Sequence, residues 1–298
     1  MSAADLIVRN ELLPTSRYDG LWDSIVASPD LKDRLWRSAI LSLELRNRLP
    51  FATTALHGLA ILTGPPGTGK TTLARALPQQ LAPLLKGKRC RLVEINPHGL
   101  MSAEHGQSQQ KVVELLTQTI PALADDGVPT VVILDEVESM AVARSAASLS
   151  ANPADVHRAT DAVLQSLDQN AHEHPHIFTV ATSNFTSALD SAFLSRADVV
   201  IEVPNPNEEA IRLILRSTLS GFAKAYPALV ALERDQGLSQ VAKLLLGKDG
   251  RGVRKLVTEA MLRRTETTID PGKLTLGDLL ATAGDFVISE LEPRVSAL

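Results

Sequence analysis

Gly64-Pro65-Pro66-Gly67-Thr68-Gly69-Lys70-Thr71 directly follows the apolar run Leu59 to Thr63 and opens an amphipathic stretch. Glycines at this spacing let the backbone wrap so that successive N–H groups, with the N-terminus of the following helix, converge on one anion. The segment therefore demands a buried strand, a tight loop and a helix, in that order. Within it Lys70 is placed to reach the β- and γ-phosphates of a nucleotide and Thr71 to ligate a magnesium ion, with Gly64, Pro65, Pro66, Gly67, Thr68, Gly69 and Thr72 completing the cradle.

The neighbouring sequence agrees with that demand. Apolar runs at Gly58 to Thr63, Arg91 to Asn96, Val131 to Leu134, Ile177 to Ala181 and Val199 to Val203 predict buried strands. Helices are expected near 69–82, 108–125, 155–170 and 187–195, and Ser28-Pro29-Asp30 signals the start of one that runs to about Leu49. Strands alternating with helices imply an α/β fold, a parallel sheet covered on both faces. Pro204 and Pro206 stop the last strand, and everything beyond reads as helix, with Val253, Leu256, Val257, Ala260 and Met261 forming one apolar stripe. The expected organisation is an N-terminal segment and α/β domain over 1–206, followed by a small all-helical domain over 207–298. No internal repeat is evident, and Ser145 to Ala154 reads as a small-residue loop.

Composition removes several classes of function. The chain has 298 residues, 44% of them hydrophobic and 21% charged, which places it among globular proteins. A net charge of −4 gives no global positive field to attract nucleic acid or anionic membrane. Aromatic residues make up 3%, so the stacking platforms of a single-strand binder would have to be assembled from few, scattered residues, which puts that reading at a disadvantage. Cys90 is the one cysteine, which excludes an intramolecular disulfide and a thiolate zinc cluster and fits a reducing, cytoplasmic setting. No window approaches the run of about 18 apolar residues needed to span a membrane.

Val131-Val132-Ile133-Leu134-Asp135-Glu136 is an apolar strand ending in two acids. Asp135 is placed to hold a hydrated magnesium ion and Glu136 to orient and polarise an attacking water. Taken with the phosphate loop, this order of features resembles the AAA+ ATPases, a P-loop core followed by a helical lid. The resemblance implies that Asn184, at the end of Thr182-Ser183-Asn184, is the sensor 1 amide facing the γ-phosphate. It further implies that Arg196 is an arginine finger acting on the neighbouring subunit, and that Arg251, in Gly250-Arg251-Gly252-Val253-Arg254, is sensor 2 in preference to Arg254.

The wording of Gly20-Leu21-Trp22-Asp23-Ser24-Ile25-Val26, Glu94-Ile95-Asn96-Pro97-His98, Ile133 to Ser139 and Ser195-Arg196-Ala197-Asp198 is similar to one branch, the pachytene checkpoint ATPases that remodel HORMA-domain proteins. The similarity spans about residues 18–265. Ser-Arg-Ala-Asp is its most diagnostic part, because many AAA relatives carry two arginines there. Membership implies ATP and Mg2+ as cofactors, a hexameric homo-oligomer, and a HORMA-domain partner. It also implies Trp22 and Ile25 near the adenine, although packing of Trp22 beneath the sheet edge is an equal alternative. Animal members carry an additional N-terminal domain that recruits an adaptor, whereas only a short stretch precedes Gly20 here, so an adaptor-independent mechanism is expected. The short form resembles the bacterial members of CBASS antiphage systems, in which the HORMA protein activates a cGAS-like nucleotidyltransferase and the ATPase switches that activation off.

The family's pore loop carries a bulky aromatic where this chain reads Met101-Ser102-Ala103-Glu104-His105-Gly106. Met101, Glu104 and His105 are the expected substrate contacts, with grip from a flexible thioether and backbone hydrogen bonds in place of stacking. The alternating His172, His174 and His176 are expected in a solvated loop. Lys86, Lys88, Arg89 and Arg91 read as a solvated basic cluster before a strand, with an AAA+ motor or loader that engages nucleic acid through them as the alternative function.

Overall fold

The computed structural model describes residues 3–95, 111, 113–139 and 153–295. The chain divides into two compact units, Met1–Gly64 with Lys70–Val203, and Pro65–Gly69 with Pro204–Leu298.

The first unit is built on a six-stranded sheet: β1 (Ile7–Leu13), β2 (Leu59–Thr63), β3 (Cys90–Ile95), β4 (Thr130–Leu134), β5 (Ile177–Ser183) and β6 (Val199–Glu202), in the spatial order β1-β3-β4-β5-β2-β6. Strands β2 to β6 run parallel, and every residue of β2, β4 and β5 is buried, as apolar runs covered on both faces require. One face packs around Ile61, Val93, Val132, Leu167 and Phe193, and the other around Leu35, Leu73, Leu77, Phe178 and Val180. Strand β2 lies between β5 and β6, so the chain leaving it must cross β5 and β4 to reach β3. Ligands of open α/β sheets bind beyond the carboxyl ends of strands at such a reversal.

β1, which is not among the expected strands, is an edge strand added antiparallel to β3 beside the parallel core. Its period-2 signal is broken because Arg9 and Glu11 stand where a half-buried strand would carry apolar residues. Both are satisfied by charge, Arg9 Nε donating to Glu94 at 2.9 Å and Glu11 accepting from Arg17 at 2.8 Å.

Helix Pro29–Arg48 begins at its predicted cap, with Ser28 Oγ accepting the Leu31 N–H at 3.3 Å and proline in the first turn. Helices Lys70–Leu81 and Pro153–Glu173 occupy the expected places. Two expected helices are irregular. The described part of 108–125 contains a π-turn, Leu115–Thr119, before Ile120–Leu123. Pro121 accounts for it, since its ring lacks an N–H and crowds the carbonyl one turn back. The segment 187–195 is broken into a short turn, Thr186–Ala188, and helix Ser191–Ser195, because Asp190 accepts the Ala192 N–H at 2.8 Å and starts a new helix.

The second unit is helical: Glu208–Ala223, Leu229–Glu233, Leu238–Leu244, Gly250–Met261, Thr265–Ile269 and Leu276–Val295. Asn207 caps the first by accepting the Ala210 N–H at 2.9 Å. The stripe Val253, Leu256, Val257, Ala260 and Met261 is wholly buried. No helix among the described residues is long and apolar enough to cross a membrane.

Candidate active site

The parallel core brings the carboxyl ends of β2, β4 and β5 side by side. Gly64, Gly67 and Gly69 have φ of 133°, 77° and 98°, values that only glycine adopts without strain. Gly64 also has no room for a side chain: a Cβ there would lie 2.2 Å from the Val203 carbonyl oxygen. Thr68 Oγ1 donates to the Pro65 carbonyl at 3.0 Å and braces the loop from within.

Lys70 is buried at the head of its helix. Its ammonium donates to the Gly64 carbonyl at 2.7 Å and to Asn184 Oδ1 at 2.9 Å, which joins loop, helix and the end of β5. Burial pulls its pKa below the usual lysine value, opposed by the carboxylates of Glu138, Asp135 and Glu136 in that order. Thr71 Oγ1 donates to Asp135 Oδ1 at 2.7 Å. Thr182 Oγ1 donates to the same oxygen and accepts the Glu136 N–H at 3.1 Å. Thr182 is the partner that sequence reasoning did not single out. It stands within β5, one residue from its end, where threonine is ordinary, and only the register of β5 against β4 shows what it touches. Glu136 has φ 50°, a left-handed conformation costly for a residue with a side chain. Glu138 accepts the Asn184 N–H at 3.0 Å.

Arg196 lies apart from this group. Its Nε and Nη2 form a fork with Asp168 Oδ1 and Oδ2, both at 2.7 Å, while Nη1 donates to the Ala192 carbonyl at 2.8 Å. His57 Nε2 approaches Asp168 Oδ1 at 3.3 Å, and burial lowers the His57 pKa. Asp198 anchors the Ser-Arg-Ala-Asp segment to the start of β2: its carboxylate accepts the N–H groups of His57 and Gly58 at 2.8 and 3.0 Å and the Ser42 hydroxyl at 2.8 Å. Asp168 does not stand out in sequence, because a lone acid on a helix is commonplace, and the diagnostic segment containing Asp198 does not by itself show which groups that carboxylate anchors.

In the second unit, the Arg251 N–H donates to the Gly67 carbonyl at 3.3 Å, and Arg254 Nη1 reaches the Gly250 carbonyl at 3.3 Å. Asp249 caps this helix by accepting the Gly252 N–H at 2.8 Å, and its carboxylate is so close to Gly67 that a Cβ there would lie 2.4 Å away.

Trp22 and Ile25 are buried. Trp22 packs in the core beneath the sheet, capped by the Lys32 ammonium, which donates to the Trp22 carbonyl at 2.7 Å. Met101, Glu104 and His105 lie outside the described residues. The histidines are not a simple solvated loop: His172 closes a helix and packs on Phe51, and His176 is half-buried. In the basic cluster, Arg91 is committed to Asp126 and the Leu123 carbonyl. Among the described residues no group of three or more metal-ligating side chains is assembled.

A glycine loop from a buried strand, a lysine at the following helix, an acid pair on a nearby strand and an amide at the end of the strand between them define a P-loop nucleotide-binding fold. Residues 60–205 match the family model "ATPase family associated with various cellular activities (AAA)". CD-NTase-associated protein 6 of Pseudomonas aeruginosa is 44% identical over 92% of this chain and 90% of its own length. A pachytene checkpoint protein 2 homolog of Danio rerio is 35% identical over 92% of this chain and 69% of its own. A chain of the structure described as the E. coli MS115-1 HORMA:CdnC:Trip13 complex superposes with a TM-score of 0.77, covering 96% of this chain and 97% of that one at 19% identity, a likeness of fold. The chain belongs to the family of AAA ATPases that includes CD-NTase-associated protein 6 and the pachytene checkpoint protein 2 homologs.

Proposed function

We propose that the chain is a cytoplasmic, magnesium-dependent ATPase that assembles as a hexameric ring and uses hydrolysis to reshape a HORMA-domain protein, switching off a cGAS-like nucleotidyltransferase. The observation that carries this reading is the similarity to CD-NTase-associated protein 6 along nearly the whole of both chains. The residues suit the cofactors. Glycines with positive φ form a backbone cradle for phosphates, and a hydroxyl and a carboxylate already paired, Thr71 with Asp135, suit a hydrated magnesium ion. Bound magnesium would neutralise charge on the phosphates.

Lys70 holds the β- and γ-phosphates, Glu136 takes up a water proton, Asn184 orients that water, and Arg196 acts on the nucleotide of the adjacent subunit. Arg251 reports from the helical domain, 207–298, to the ATPase domain, 1–206. Ile25 borders the adenine. Met101, Glu104 and His105 contact the threaded polypeptide. The commitment of Arg91 to Asp126 weakens the nucleic-acid alternative.

Glu136→Gln tests the reading. It keeps the cradle and removes the base, so ATP binding should persist while turnover falls about 10²- to 10⁴-fold. The ATP-trapped variant should retain a HORMA-domain protein in a pull-down, and wild-type protein with ATP should release it from its nucleotidyltransferase. Unchanged turnover would refute the role of Glu136, and failure to bind or release any HORMA protein would refute the partner. Replacing Met101 by Ser, with Glu104 and His105 by Gly, should uncouple hydrolysis from release, and release at the wild-type rate would refute threading.

A further inference from the structure

Glu138 sits on the turn Val137–Ser139, just after the acid pair, and the assignments above give it no role. Its Oε1 accepts the Asn184 N–H at 3.0 Å, and Asn184 Oδ1 in turn accepts from the Lys70 ammonium at 2.9 Å. The second carboxylate oxygen, Oε2, is enclosed and has no hydrogen-bond partner among the described residues. An enclosed carboxylate oxygen without a donor is costly, so its retention beside an active site calls for a use. Glu138 thus stands one hydrogen-bonded residue away from the phosphate-binding lysine.

We propose that Glu138 is a positioning residue: one carboxylate oxygen fixes the Asn184 backbone and so aims the Asn184 amide that holds the Lys70 ammonium. This rests on the assignments of Asn184 and Lys70 made above. The action belongs to turnover and not to nucleotide affinity.

The experiment uses the full chain with ATP and magnesium, measuring nucleotide affinity and steady-state turnover for Glu138→Gln and Glu138→Ala. Glutamine keeps an acceptor for the Asn184 N–H and loses the charge, whereas alanine loses both. Both variants should bind ATP within about two-fold of wild type. Turnover should fall about 30-fold in Glu138→Ala and only about three-fold in Glu138→Gln, a rescue of geometry by the isosteric side chain. A variant that had merely lost packing would bind more weakly and turn over more slowly together, so unchanged affinity with rescue by glutamine distinguishes positioning from structure.

A turnover loss of about 30-fold or more in a folded Glu138→Gln overturns the positioning action, even if the alanine variant does not fold. Turnover within two-fold of wild type in a folded Glu138→Ala overturns the positioning action. Asn184→Ala is measured in parallel. If it loses turnover and Glu138→Ala does not, Glu138 alone is overturned and the Asn184 assignment stands. If neither loses turnover, the Asn184 assignment falls, and the positioning action falls with it.

Discussion

The two units each contain an arginine–aspartate fork of the same geometry, turned to different ends. In the helical unit, Arg264 Nε and Nη2 donate to Asp278 Oδ1 and Oδ2 at 2.8 and 2.7 Å. In the α/β unit, Arg196 does the same to Asp168 at 2.7 Å on both arms. Exposure is inverted between them: Asp278 keeps 10% of its side-chain surface and Arg264 40%, whereas Asp168 keeps 41% and Arg196 22%. Asp278 is also locked into a helix start, accepting the Thr275 N–H at 2.9 Å while Thr275 Oγ1 accepts its own N–H at 3.3 Å, a reciprocal capping box. Its carboxyl is held down at about 2, first by the Arg264 hydrogen bonds. In the helical unit the acid is the anchored member and the arginine completes its shell. In the α/β unit the arginine is the sheltered member, held from behind by an open carboxylate. One pairing closes a capped helix start and the other holds a largely sheltered guanidinium beside an open carboxylate, and only the surroundings distinguish them.

Arg196→Ala breaks the comparison most severely. If that guanidinium acts on the next subunit's nucleotide, turnover should fall roughly 10³-fold or more with ATP affinity unchanged. Mixing these subunits with Lys70→Ala subunits, which keep Arg196, should restore part of the activity at mixed interfaces. Equal turnover in the variant and wild type would show that the two forks are alike after all.

Asp168→Asn sharpens the distinction. The amide keeps one acceptor for the guanidinium but loses the charge-assisted fork, so turnover should drop about ten-fold. Thermal stability should barely change, because an ion pair this open to water contributes little. A large loss of stability without loss of turnover would place this fork with the structural one.

Asp278→Ala should do the reverse: lower stability by about 1 kcal/mol through the lost cap, measured by denaturant unfolding, with turnover unaffected. The smallest effect is its pH dependence. Because the folded carboxyl titrates at about 2, below the ordinary 3.8, its contribution is complete above pH 4 and is lost as pH falls towards 2. Asp278→Asn should remove that part of the acid-unfolding curve, and an unchanged curve would show that other carboxylates control it.

How much was legible in sequence depends on whether a residue's partner is near in the chain. The strand, loop and helix at 59–81 are encoded by consecutive residues, and so are the Ser28 cap and the apolar runs of β3 to β6. Strand β1 was not legible, since Arg9 and Glu11 read as solvent-facing until Glu94 and Arg17 are brought beside them. The π-turn at Leu115–Thr119 was signalled only by Pro121, which by itself does not distinguish a kink from a helix end. At the site, the residue types at Lys70, Thr71, Asp135 and Asn184 were readable from motif and strand ends, while the contributions of Thr182 and Glu138 were not.

The sequence by itself determined which residues can meet a phosphate: glycine spacing, a lysine at a helix start and acids at a strand end are local patterns, and backbone sterics and hydrophobic periodicity act over a few residues. Tertiary structure decided which of these side chains speak to one another. Thr71 and Asp135, Lys70 and Asn184, Arg196 and Asp168 are joined because β5 pairs with both β2 and β4, and because helix Pro153–Glu173 presents Asp168 to the Ser-Arg-Ala-Asp segment. Hydrogen bonds and ion pairs act over a few ångströms of space, whatever the separation in chain, so their partners exist only once burial of the sheet's two faces has fixed the register.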